Sequence, residues 1–197
     1  MIYIFGDSHA DFNFRNFRAN NYAVPSITMH RVGRDNIIMN FKPMFNNEDS
    51  TFLFNYGEVD CRCNIGKQII DGRNLQEVSQ LLVDNYFKTI KNNVKLYKNI
   101  IVVAIIPPTK KGDFEKIYGP ITHEYPFVGS DDDRLLYHKT VNSLLEDRCV
   151  ENGFIFFDPF DHYSDDDGFL LHSLSDTQVH IGDNSEILEE FKKQIVV

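Results

Sequence analysis

Tryptophan is absent from the 197 residues, and cysteine occurs only at Cys61, Cys63 and Cys149. An odd count with a Cys-x-Cys spacing fits neither a disulfide framework nor paired CxxC zinc half-sites. The simplest reading is a reducing, cytoplasmic compartment. Dense runs of Lys or Arg are also missing: 20 basic residues face 29 acidic ones, for a formal charge of −9. A nucleic-acid backbone needs a basic face to displace its counterions, so no nucleic-acid partner is expected. An anionic membrane surface is disfavoured for the same reason. The longest apolar run, Ile100 to Pro108, is far too short to cross a bilayer. The opening MIYIFGDSH has no basic n-region and reads neither as a signal peptide nor as a membrane span.

What is present suits a single globular domain over residues 1–197, large enough to bury a core without disulfide support. No repeat, linker or low-complexity tract divides it. Five short apolar runs predict strands: Ile2–Phe5, Ile27–His30, Thr51–Tyr56, Ile100–Ile106 and Phe154–Phe157. The first, third and fourth are near-continuous, as expected of strands covered on both faces. Between them lie helices with identifiable starts. Asn74 precedes Glu77 and a helical run through Ile90; Ser130 and Asp133 form a capping-box pattern. That second helix should stop at Gly153, and Asp183 with Glu186 opens a last one. Strands alternating with helices indicate a parallel sheet wrapped on both sides. In such sheets ligands bind outside the carboxyl ends of the strands, so polar residues directly after a strand are the candidates.

Gly6-Asp7-Ser8-His9 follows the first run. Ser8 is either a helix cap, a common role for serine, or a reactive group at the sheet edge. Arg31-Val32-Gly33-Arg34 follows the second, where Gly33 either turns the chain or offers a bare backbone N–H. Gly57-Glu58-Val59-Asp60-Cys61-Arg62 follows the third and carries more charge than a turn requires. Near the C-terminus, Asp176 closely precedes His180 ahead of the last helix.

These blocks, in this order from Gly6 to His180, resemble the SGNH/GDSL hydrolases, and the form GEVDCR is similar to a subgroup met among glycan-modifying proteins. The resemblance implies an α/β, three-layer flavodoxin-like fold with a five-stranded parallel sheet ordered 2-1-3-4-5. It also implies an esterase mechanism without metal or cofactor. Ser8 would be the nucleophile, His180 its base, and Asp176 the carboxylate that orients the imidazole. The N–H groups of Ser8 and Gly33 would face the oxyanion.

Two departures stand out. Val59 replaces the family's oxyanion asparagine, leaving Arg62 as the nearest substitute, either for the oxyanion or for an acidic sugar, with Asp60 beside it. The family's acid lies three residues before the histidine, a place held here by Thr177, whereas Asp176 lies four before. The implied activity is an O-acyl esterase removing acetyl groups from a sugar or glycan. Its rivals are an O-acetyltransferase using the same Ser–His pair and a non-catalytic carbohydrate-binding relic of the fold.

Other patterns are set aside. Asp7-x-His9 is similar to the opening of metallophosphoesterases, but their later GNH[DE] and histidine motifs are missing. Placing Gly168 at position six of a calcium loop puts Tyr163 and Leu174 where acidic ligands belong. The triplets Asp131–Asp133 and Asp165–Asp167 read as a helix N-terminus and a solvated turn. His30, His123, His138, His162 and His172 read as packing or surface residues, with only His123 placed where it would reach a substrate.

Overall fold

The computed structural model describes residues 1–36, 49–94, 99–122 and 125–195. Five strands, β1 (Ile2–Gly6), β2 (Asn20–Asn21), β3 (Thr51–Asn55), β4 (Asn99–Val103) and β5 (Ile155–Phe157), form one sheet in the order β2-β1-β3-β4-β5. Every neighbouring pair is parallel. Successive side chains of each strand enter opposite layers, which is why the strand sequences are apolar without alternation. Tyr3, Phe5, Phe52, Phe54, Ile100 and Val102 face one core; Ile4, Leu53, Ile101 and Val103 face the other. Aromatic rings tile the first face, with Phe5 stacked on Tyr22 at 5.4 Å and on Phe54 at 5.7 Å.

Helices α2 (Met29–Asp35), α4 (Leu75–Asn93) and α6 (Asp131–Asn152) cover that aromatic face, while α1 (Ser8–Asn13) and α7 (Ser185–Ile195) cover the other. The capping signals act as their chemistry requires. Asn74 accepts from the Glu77 N–H, Ser130 and Asp133 form the reciprocal box, and Gly153 ends α6 at φ 67°. Asp183 accepts from the Ser185 N–H at the start of α7. A helix from Glu58 to Ile70 contains a π-turn at Asp60–Asn64 before α3 (Ile65–Ile70). The short helix α5 (Lys111–Tyr118) follows β4. All three cysteines are buried and free, and no described helix is long and apolar enough to cross a membrane.

The expected strand at Ile27–His30 is not one. Thr28 caps α2 by accepting from the Arg31 N–H at 3.0 Å, and Met29 and Val32 are buried at helical spacing. The second strand is instead the exposed pair Asn20–Asn21, paired with Tyr3 and Ile4. Two asparagines carry no apolar pattern, so nothing in the sequence marks them as a strand.

Candidate active site

The turn after β1 is set by close packing. A Cβ on Gly6 would lie 2.3 Å from the Ala10 Cβ and 2.4 Å from the Asn55 carbonyl oxygen. Only glycine lets the chain pass between β3 and the first turn of α1. Asp7, not Ser8, caps α1, accepting from the His9 N–H at 2.8 Å. The Ser8 hydroxyl is thereby released from capping, and its N–H, first in the helix, has no partner among the described residues.

That hydroxyl meets His180. Ser8 Oγ lies 3.0 Å from His180 Nε2, across 172 residues of sequence. His180 Nδ1 lies 2.9 Å from Asp176 Oδ2. Asp176 and His180 sit on a narrow hairpin closed by the Asp176 N–H to His180 carbonyl bond and by pairing of Ser175 with Ile181. Thr177 takes a left-handed φ of 67°, which accommodates the extra residue between acid and base. Asp176 Oδ1 also accepts from the N–H groups of Gln178 and His180. Partial burial works against its charge, but the His180 ring and these two N–H groups outweigh it. They hold the carboxyl below its usual range. The Phe12 ring stacks on the His180 imidazole at 4.1 Å and 11°.

Behind the pair lies a buried group of charges. His9 Nδ1 is 3.2 Å from Asp7 Oδ1, and its Nε2 is 3.1 Å from the Val179 carbonyl and 3.8 Å from Glu58 Oε2. Glu58 accepts from Arg62 Nε at 2.7 Å, and Arg62 Nη1 donates to the Tyr125 carbonyl. Burial opposes the Glu58 charge, yet Arg62 and His9 overcome it and bring its pKa down to about 2.

No family model matches the sequence, and no curated protein does either. Solved structures do match. A member of the lipolytic G-D-S-L family from Veillonella parvula superposes with a TM-score of 0.60 at 13% identity, covering 99% of this chain and 97% of its own. A GDSL-like lipase from Bacteroides thetaiotaomicron gives 0.61 at 12% identity, covering 98% and 85%. Sheet order and these superpositions agree. The chain has the SGNH/GDSL fold. Phospholipase A1 from Streptomyces albidoflavus shares it, with a TM-score of 0.55, 11% identity and 98% coverage of both chains.

On the SGNH/GDSL fold, Ser8, His180 and Asp176 are brought together, whereas three other expected residues are not. Gly33 lies within α2 against α4, where an added Cβ would be 2.9 Å from the Asn85 Cβ. It is a helix-packing glycine, and it follows a strand only if the second strand is placed at Ile27–His30. Asp60 is buried under the start of α2, accepting from the Met29 N–H at 2.7 Å and from Asn64. Burial outweighs these bonds and raises its pKa to about 7. Arg62 makes no hydrogen bond to Ser8, its fork being engaged by Glu58 and Tyr125. His138 is fully buried, with Nδ1 2.9 Å from the Ile106 carbonyl, and His123 lies outside the described residues. His9 and Phe12 were missed as neighbours of the base; their offsets of one and four from Ser8 on a helix were the available signal. The turn after the true second strand runs beside Gly6, where the Val24 N–H donates to the Gly6 carbonyl at 2.9 Å, and Ser26 is left-handed at φ 65°.

Proposed function

We propose that the protein hydrolyses acyl esters with Ser8 as nucleophile, His180 as general base and Asp176 as the orienting carboxylate. The observation that carries this reading is the unbroken chain from Asp176 through His180 to Ser8, with links of 2.9 and 3.0 Å. With Nδ1–H committed to Asp176, Nε2 is left as the acceptor facing the hydroxyl. His180 takes the Ser8 proton as Oγ attacks the carbonyl carbon, then returns it to the leaving alcohol; water repeats the sequence on the acyl-enzyme. Asp176 stabilises the imidazolium that forms at each stage. The free Ser8 N–H is the first oxyanion donor.

We infer that the substrate is an O-acetylated sugar or glycan, which the GEVDCR motif supports by resemblance. Glu58, Asp60 and Arg62 are engaged inside the protein, so sugar contacts fall to other groups. The test is hydrolysis of a short-chain aryl ester and of acetylated sugars by wild type and Ser8→Ala, with a fluorophosphonate probe as the independent reporter of an activated serine. Turnover and labelling lost together in Ser8→Ala are expected. A folded wild type that neither labels nor hydrolyses overturns the reading. Acetyl release that requires an added sugar acceptor instead of water identifies a transferase.

A further inference from the structure

His9 is 3% exposed and has no part in the proton relay of Ser8 and His180. Its surroundings are all acceptors. Nδ1 faces Asp7 Oδ1 at 3.2 Å, Nε2 faces the Val179 carbonyl at 3.1 Å, and Glu58 Oε2 lies 3.8 Å from Nε2. A neutral imidazole carries one N–H and would turn a lone pair toward one of these oxygens. The imidazolium donates to both. It also balances the buried charges, since Asp7 and Glu58 as carboxylates then face His9 and Arg62 as cations.

The Val179 carbonyl is the peptide neighbour of His180, and the two imidazole rings lie 4.5 Å apart. Thus the residue after the nucleophile grips the residue before the base. Other ties to the hairpin, from Thr109 to the Gln178 carbonyl and from Tyr118 to Thr177, are solvent-exposed.

Resting on the esterase reading above, we propose that His9 is a positioning residue that works as an imidazolium, clamping the Val179 carbonyl so that His180 is held against Ser8. When His9 loses its proton, one of its two bonds is lost, the hairpin loosens, and the Ser8–His180 contact lengthens. The groups that face it are Asp7 on its own turn, Glu58 after β3 with Arg62 behind it, and His180 on the hairpin. His138 on α6 interacts with it at longer range. Burial works against the cation, but Glu58 and Asp7 outweigh it and hold the His9 pKa above the ordinary 6.5.

The sign follows. Turnover requires His9 charged, so this contribution is complete at low pH and is lost as pH rises through the raised His9 pKa. The kcat/KM profile therefore carries an alkaline limb. The experiment measures aryl-ester kcat/KM against pH for wild type, His9→Gln and His9→Ala, with ¹⁵N NMR of the His9 ring in the full chain. Expected are two protonated ring nitrogens at pH 7, a loss of about ten- to a hundredfold in His9→Ala, partial rescue by the uncharged donor in His9→Gln, and disappearance of the alkaline limb in both variants. A single-tautomer neutral His9 at pH 7, or an alkaline limb that persists unchanged in the variants, overturns the proposal while wild-type turnover leaves the esterase reading standing. A wild type with no ester turnover overturns that reading, and the proposed effect on turnover with it.

Discussion

Asp176 holds His180 by two different atoms: one carboxylate oxygen on the ring Nδ1 and the other on the His180 backbone N–H. The ring is thus fixed in both tautomer and position. Asp176→Asn keeps the shape but offers its amide to a nitrogen that should be donating, which favours the wrong tautomer. The expected loss in kcat is about a thousandfold or more, read from aryl-ester kinetics. Ser8 and His180 act as a unit, so Ser8→Ala, His180→Ala and the double variant should all fall to a similar residual rate. Additive losses in that comparison would argue against a shared proton transfer. These three residues were legible because each belongs to a short motif in a fixed order. Arg62 is expected at the site because Val59 stands where the family has its oxyanion asparagine, and Asp60 as one of the charged residues that follow the third strand. Charge beside a strand end does not distinguish a substrate contact from a buried ion pair, and their partners Glu58, Tyr125 and Met29 decide the matter.

At the level of elements, the β1–α1 turn depends on Gly6 through contact with backbone, not through an unusual φ. In Gly6→Ala the new methyl meets the Asn55 carbonyl and the Ala10 Cβ, neither of which is the end of a flexible side chain. A destabilisation of about 2–3 kcal/mol is expected, measured as a lower midpoint in urea. Activity should fall further than stability accounts for, because the shift moves Ser8 directly. The helices were legible where caps coincide with apolar spacing, as at Asn74, Ser130 and Gly153. β2 was not, because its two asparagines pair through backbone only and bury no side chain. That one omission moved the second strand to Ile27–His30 and carried Gly33 into a role that its packing against Asn85 does not permit.

Across the whole molecule, burial of ionisable groups beneath the sheet edge makes stability depend on pH. His138 is enclosed by α6 and the end of β4, donates from Nδ1 to the Ile106 carbonyl, and has no partner for Nε2 among the described residues. Burial is the main cause that lowers its pKa from 6.5 to about 4, so the folded protein holds it neutral. Its contribution to stability is therefore complete above 6.5, where the unfolded chain is also neutral. The contribution is lost as pH falls toward 4, because the unfolded histidine gains a proton that the folded one resists. Each tenfold change in proton affinity is worth about 1.4 kcal/mol, so the loss is on the order of 3 kcal/mol. Glu58 adds a second loss at lower pH, as its stabilisation is present above 4.5 and disappears toward about 2. His138→Asn keeps an N–H for the Ile106 carbonyl and removes the titration. At pH 7 the variant should be less stable than wild type, having lost ring packing in a filled core. Between pH 6.5 and 4 that deficit should shrink by about 3 kcal/mol, since wild type alone bears the cost of a neutral histidine in acid. Urea unfolding of both proteins at pH 4, 5, 6 and 7 measures the difference, in which Glu58, His9 and Asp60 largely cancel because both chains contain them. A deficit that stays constant with pH would mean that His138 binds protons in the fold as it does in the unfolded chain, and one that grows in acid would mean that it is charged in the fold, where Nε2 would require a partner.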